Sequence, residues 1–306
     1  HIDLSDVDAI VGRGGSCYPV ASGVYVIDDK LIEDTAAGKG GMEHPSNLGV
    51  QLARELQKEF GGRIFMVDPP CVDELCDMAR MTGIDGVPRH TNMHALNLRG
   101  VAMHHAKHVL GKKYEDCCFI VCHIDGGISV SAHRYGRIID CNDAAGGDGP
   151  YTPTRIGSVS VADILEYVRD KDIDEVKKLC TRTGGFVSHF GTSSSDAVHK
   201  MAEEGNKKAI RVWDGMKYQI VKYIGAMAAV LGGRVDGILL TGGLLRFEDI
   251  TQTIREQCGW IAPVSTYPGE VEHEALAAGA LRVLRGEEEP KHYTGRPVWD
   301  GWHDED

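Results

Sequence analysis

The sequence has no apolar run of the roughly eighteen residues that a membrane-spanning helix needs, and no basic-then-apolar leader precedes its first structured stretch. Insertion and secretion are therefore not indicated. Basic side chains are short in supply: 33 Lys and Arg stand against 45 Asp and Glu, giving a formal net charge of −12. With no Lys/Arg-rich run and no aromatic-basic platform to offset that charge, nucleic acid is not an expected partner. The nine cysteines, an odd number that includes the adjacent Cys117 and Cys118, follow no regular spacing. Several lie in apolar strand-like runs, where a free thiol behaves as a small hydrophobe, so reduced thiols and a cytoplasmic protein are expected. No Gly-x-Gly-x-x-Gly opens a first βα unit and no Gly-Lys-Ser/Thr occurs, which sets aside the Rossmann and P-loop patterns.

What is present is an ordinary globular balance, 42% hydrophobic and 25% charged, without a tract polar enough for disorder. A chain of 306 residues exceeds what one core usually organises, so two lobes with a ligand cleft between them are expected. The chain opens at His1 without a methionine and soon enters the apolar stretch Val7 to Val11, which reads as a start in mid-domain.

Short apolar runs at 8–12 and 23–28 precede a helix expected from about Ser46 to Phe60. Leu48, Leu52, Leu56 and Phe60 recur every four residues along it, with Ser46 as the N-cap. Arg63 to Asp68 reads as a buried strand ending on a carboxylate, Pro69 and Pro70 stop it, and Val72 to Thr82 reads as a helix. Further on, Cys117 to Ile124 is a strand, Asp125-Gly126-Gly127 a turn, and Ile128, Val130 and Ala132 alternate with Ser129, Ser131 and His133 at period two. Helices are expected over 160–180, 195–231 and 272–285, and a strand over 235–240. The tail from Gly286 shows no periodicity.

Two glycine pairs carry the chemistry. In His123-Ile-Asp-Gly-Gly127 the pair sits at a hairpin bend, where backbone N–H groups can approach an anion with no Cβ in the way. By itself an Asp-Gly pair more often marks an ordinary type I′ turn. The second pair, in Thr241-Gly242-Gly243, closes a buried strand ahead of a helix, the place where open α/β sheets bind ligands. A hairpin pair followed far downstream by a strand-to-helix pair matches the phosphate and adenosine loops of the actin-like ATPase fold.

The resemblance extends further. His123-Ile-Asp-Gly-Gly-Ile-Ser-Val, Asp148-Gly-Pro-Tyr-Thr-Pro-Thr-Arg155, Thr241-Gly-Gly and Tyr267-Pro-Gly-Glu270 resemble the butyrate kinases, in the acetate kinase branch of the actin-like superfamily. Val11-Gly-Arg-Gly-Gly15, His44-Pro-Ser-Asn-Leu48 and His94-Ala-Leu-Asn97 fit too, in family order over almost the whole chain. The resemblance implies an α/β, two-lobed actin-like ATPase fold with an ATP cleft between lobes. An N-terminal acyl-substrate lobe would comprise 1–70 with 274–306, and a C-terminal nucleotide-binding lobe 71–273. Two departures stand out: Asp125 takes the place of a glycine usual in the family's phosphate loop, where it would repel phosphate or help hold a cation. The family's first strand and Asn-containing, serine-rich phosphate loop have no counterpart upstream of Val11, and the intact gene product is expected to carry them.

Phosphoryl transfer asks for charge neutralisation and alignment. The resemblance makes Arg155 the arginine that stabilises the migrating phosphoryl group, and places His94 and His123 near it as donors to phosphate oxygen. It assigns Asp68 to metal and water positioning, and Glu270 to Mg²⁺, with Glu272 and Glu274 close by. Asp125, Gly126, Gly127, Thr241, Gly242 and Gly243 would line ATP or ADP. Arg13 would hold the acyl carboxylate, and His44 has a counterpart near the acyl substrate. The implied reaction is ATP plus butanoate to ADP plus butanoyl phosphate, reversible and ATP-forming in fermentation, by a homodimer or higher homo-oligomer that acts on no membrane. Acetate, propionate or a branched acid is the alternative substrate, and a catalytically silent ATP-binding or interaction protein on the same fold is the alternative of another class.

Overall fold

A computed structural model describes residues 6–15, 17–41 and 45–302. The chain divides into two compact units, one formed by 1–74, 94–100 and 271–306, the other by 75–93 and 101–270.

The first unit is built on a three-stranded sheet. β1 (Ala9–Gly12) runs parallel to the central β3 (Arg63–Val67), and β2 (Val24–Val26) pairs with β3 antiparallel. β3 is buried on both faces: Ile64 and Met66 join a cluster with Val50 and Ala53, while Phe65 and Val67 join Ala280 and Val283. The alternation places one helix on each side, Leu48–Phe60 and Glu272–Leu284.

The Leu48–Phe60 helix does not present the face expected of it. Leu48, Leu52 and Leu56 are exposed, whereas Val50 and Ala53 face the core. The reason is a close backbone approach. A Cβ on Gly12 would lie 2.4 Å from the Gly49 carbonyl oxygen, and one on Gly49 would lie 2.2 Å from that of Arg13. Contact that tight selects the small-residue side of the helix, and the leucines are left outside. The N-cap is Asn47, not Ser46, because 45–47 form a 3₁₀ turn leading in.

The Val72–Thr82 helix is also absent, save for Asp77–Arg80. Val72 instead bridges Val20 in parallel, and the Asp73 and Cys76 N–H groups donate to Val20 and Ile139, so the segment is held outside a helix, with Val72 and Asp73 buried and Cys76 half-buried. The aperiodic tail is anchored: Lys291 pairs with Tyr25, and buried Tyr293 donates to Asp34 at 3.0 Å.

The second unit carries a five-stranded sheet in the order β6-β5-β4-β7-β8. Its strands are β4 (Cys118–Ile124), β5 (Ile128–Arg134), β6 (Arg137–Cys141), β7 (Gly237–Gly242) and β8 (Val264–Pro268). The β4, β5 and β6 strands form antiparallel hairpins, and β7 and β8 continue parallel to β4. Ile128, Val130 and Ala132 enter the large core with Trp213, Met216 and Ile220 of the Lys207–Val230 helix. The alternate face of β5 is buried too, its polar side chains being satisfied internally. Ser131 donates to the Val121 carbonyl and contacts His133 at 2.8 Å, and His133 meets the Tyr114 hydroxyl at 2.7 Å. The two long helical tracts are each broken, into Val161–Tyr167 with Ile173–Thr181 and Ser195–Glu203 with Lys207–Val230. Asn206 caps the longest of these through the Lys208 and Ala209 N–H groups. All nine cysteines are free thiols.

Candidate active site

The ends of β4 and β7 create the site in the second unit. As parallel neighbours in register from Phe119 with Gly237 to His123 with Thr241, they deliver both glycine loops to one end of the sheet. The loops touch through backbone: Gly242 has φ +109, and a Cβ there would lie 2.3 Å from the Ile124 carbonyl oxygen. Only glycine meets both demands. Thr241 is buried, its hydroxyl donating to the Gly269 carbonyl at 3.0 Å, and the Gly242 N–H donates to the same oxygen at 2.9 Å.

The hairpin loop is not a type I′ turn, which needs positive φ at both central residues; none of Asp125, Gly126 and Gly127 has it. Gly127 is there for another reason. The Arg155 guanidinium lies over its Cα, so that a Cβ would come within 2.5 Å of Nη1 and 2.7 Å of Cζ. The segment carrying Arg155 is pinned to the hairpin by two hydroxyls on the Gly126 carbonyl, Thr152 Oγ1 at 2.6 Å and Thr154 Oγ1 at 3.2 Å. Thr152 Oγ1 also accepts from the Arg155 N–H at 3.1 Å. Arg155 Nη1 donates to the Ala144 carbonyl, its Nε has no hydrogen-bond partner, and the residue forms no ion pair among the described residues. Burial lowers its pKa, an effect Asp143 opposes. The salt bridge that a lone arginine normally makes is thus missing, and a half-buried cation is left facing the glycine loop.

Asp125 Oδ2 accepts from the Gly243 N–H at 2.7 Å and Oδ1 from the Gly126 N–H at 2.7 Å. Buried His123, half-buried Asp125 and exposed Glu270 each bring a ligand atom within 4.8 Å of the others. Glu270 follows β8 and belongs to this group, whereas Glu272 lies in the other unit and is held by Arg13 at 2.8 Å and by the Asn97 side-chain amide at 3.2 Å. Of the three glutamates that stand close together in the sequence, Glu270 and Glu272 are therefore in different surroundings.

In the first unit, Asp68 directly follows β3 with φ +39, a conformation uncommon outside glycine. Its carboxylate accepts from the Gly23 N–H at 2.6 Å and from Arg99 Nη1 at 3.0 Å. Burial raises its pKa, with Arg99 the chief opposing influence. His94 is half-buried directly ahead of the Ala95–His105 helix, and its carbonyl accepts from Leu98. His44 lies outside the described residues. Nine of the thirteen site residues proposed from the sequence thus gather in the second unit: His123, Asp125, Gly126, Gly127, Arg155, Thr241, Gly242, Gly243 and Glu270. Arg13, Asp68 and His94 belong to the first.

Sequence reasoning missed the framework behind this group. Asn142 accepts from the Val130 N–H at 2.7 Å and donates to the Ile128 carbonyl at 3.0 Å, tying the loop after β6 to β5. Arg89 reaches Asp140 at 3.1 Å and Asp148 at 3.4 Å. A lone Asn or Arg in a loop gives no sequence signal for such a role, since its partners lie far along the chain.

The family model described as acetokinase family matches residues 87–261. Butyrate kinase 1 and butyrate kinase 2 of Clostridium acetobutylicum are each 42% identical to this chain over 295 residues, 96% of it and 82% of their own length. Among solved structures, acetate kinase from Porphyromonas gingivalis superposes with a TM-score of 0.77 at 20% identity, over 92% of this chain and 79% of its own. The fold is thus the actin-like ATPase fold in its acetate kinase form. The chain belongs to the acetokinase family, alongside those butyrate kinases.

Proposed function

We propose that this protein transfers a phosphoryl group between ATP and butanoate, giving ADP and butanoyl phosphate, reversibly and by direct in-line displacement. The observation that carries the reading is Arg155, a half-buried guanidinium with no ion pair among the described residues, held over the glycine of a phosphate loop. Such a cation suits the charge spread over the equatorial oxygens of a migrating phosphoryl group. Identity above 40% to proteins named butyrate kinase supports the acid.

In this reading the N–H groups of Gly126, Gly127 and Gly243 face the nucleotide, the Gly242 N–H being taken by the Gly269 carbonyl, and His123 donates to a phosphate oxygen. The acid is already ionised and needs no general base, so Asp68 orients groups rather than removing a proton, and His94 serves as a second donor. Arg13 binds the acyl carboxylate, with His44 beside the acyl chain. We assign the acyl substrate to the lobe of 1–70 with 274–306, and the nucleotide to 71–273. The donor set fits Mg²⁺ through the oxygens of Glu270 and Asp125, hard ligands suited to a hard cation, with the imidazole of His123 left outside its shell. When bound, the ion would neutralise charge between phosphate groups.

We further propose a cytoplasmic homodimer or larger homo-oligomer that binds neither nucleic acid nor membrane. The exposed leucine row Leu48, Leu52 and Leu56 supports self-association, and the acidic balance disfavours a nucleic acid partner. No helix among the described residues is long and apolar enough to cross a membrane. The test is an ADP-formation assay across straight and branched acids of two to six carbons. Butanoate should show the highest kcat/KM, with one methylene changing it by roughly 10- to 200-fold. A preference for acetate would move the substrate to the alternative, and no acyl phosphate from any acid would overturn the reading.

A further inference from the structure

The Asp125 carboxylate already holds two of the backbone donors that, in the reading above, the glycine loops offer to the nucleotide. Its Oδ2 takes the Gly243 N–H, 118 positions along the chain, at 2.7 Å, and its Oδ1 takes the Gly126 N–H at 2.7 Å. The fit is close enough that a Cβ on Gly243 would come within 2.6 Å of Oδ2. A carboxylate and a phosphate oxygen ask the same thing of an N–H group, and two anions sharing one pair of donors repel. The oxygens of Glu270 and the ring of His123 lie within the same 4.8 Å group. A divalent cation entering there gives the carboxylate an alternative partner.

We propose that Asp125 is a resident anion that guards the phosphate site, so that nucleotide binding in this protein is tightly coupled to a divalent cation. Without the cation, a polyphosphate must displace a hydrogen-bonded carboxylate of its own charge sign. With it, Asp125 turns from competitor into ligand and frees the Gly243 and Gly126 donors. The inference rests on the reading that both glycine loops line the nucleotide, and extends it by letting the Gly243 N–H, on the loop matched to adenosine, donate to a phosphate oxygen. It adds that a side chain of this chain, and not only the nucleotide's own charge, imposes the cation requirement.

The test is isothermal titration of ADP into the full chain and into Asp125→Gly and Asp125→Asn, each with Mg²⁺ and with a chelator in its place. Thermal melts confirm that the variants are folded. In chelator, Asp125→Gly should bind ADP at least about tenfold more tightly than the unaltered protein. Asp125→Asn, which keeps an acceptor but loses the charge, should fall between them. With Mg²⁺ the gap should narrow or reverse, since the cation then loses an oxygen ligand. Equal affinities in chelator would overturn the guarding role of Asp125 while leaving the kinase reading intact. No ADP binding by any of the three proteins, with or without Mg²⁺, would overturn both.

Discussion

The guanidinium of Arg155 and the Cα of Gly127 are so close that no side chain fits between them. The glycine of the hairpin is therefore a seat for the arginine as much as a bend in the chain. A methyl group introduced by Gly127→Ala would push Arg155 off the loop, at a cost of about 1 to 3 kcal/mol in strain. Arg155→Ala should lower kcat on the order of a thousandfold, far more than it raises the KM for the acid. Gly127→Ala should reproduce much of that loss, and the double variant should lose little beyond Arg155→Ala alone, as expected of residues acting as a unit. Steady-state kinetics on the three variants decides the matter; near-normal turnover in folded Arg155→Ala would sink the assignment.

Glu270 and Glu272 are separable by metal titration. Glu270→Gln should raise the Mg²⁺ concentration giving half-maximal rate by about tenfold or more, with an unchanged melting temperature. Glu272→Gln instead removes the partner of Arg13 and of the Asn97 amide, and should leave the Mg²⁺ dependence in place. The opposite pattern would show that the metal glutamate is misplaced.

His105 packs against Phe119 and Tyr267, its Nδ1 2.6 Å from the Tyr267 hydroxyl. Burial lowers its pKa below the ordinary 6.5, and His104 adds to the effect. The unfolded chain then binds the proton more readily than the native state. Its contribution to stability is present above pH 6.5 and is lost as pH falls from there through the depressed native value. Urea unfolding at neutral and mildly acidic pH should show this fall, and His105→Gln should flatten it. An unchanged slope in the variant would place the acid sensitivity elsewhere.

Gly242→Ala should be among the most damaging single methyl additions. The new Cβ would both occupy a backbone at φ +109 and overlap the Ile124 carbonyl oxygen at 2.3 Å. The two costs together amount to about 2 kcal/mol or more. Chemical denaturation would register the loss, and a variant as stable as the parent would mean that the two loops can separate freely.

How much of this was legible in the sequence varies by element. The β4 hairpin announced itself because Asp-Gly-Gly interrupts a period-two pattern, and Thr241-Gly242-Gly243 because a buried strand stops on two glycines. The helix at 48–60 was legible as a helix but not in its orientation. Its large residues make a regular row, yet the packing is decided by Gly12 and Gly49, whose lack of a side chain lets backbone meet backbone. Residues 72–76 were mistaken for helix because an apolar, acidic mixture fits either form, and the choice was made by partners at Val20 and Ile139 far away in sequence. The guard contact between Asp125 and Gly243 was invisible for the same reason, though the charge at position 125 was not.

The pairing of Lys291 with Tyr25 bears on how the protein is made. β2 is an outer strand of its sheet, and the Val26 N–H and Val24 carbonyl on its open side are taken by the Lys291 backbone, at 2.9 and 2.7 Å. On the ribosome this clasp arrives some 265 residues after the strand it covers, a count that follows from positions 26 and 291. Nascent chains released short of Lys291 should therefore carry a sticky strand border and depend on chaperones. Chains extended through Tyr293 should lose that dependence, which protease sensitivity of arrested ribosome complexes would register as one step.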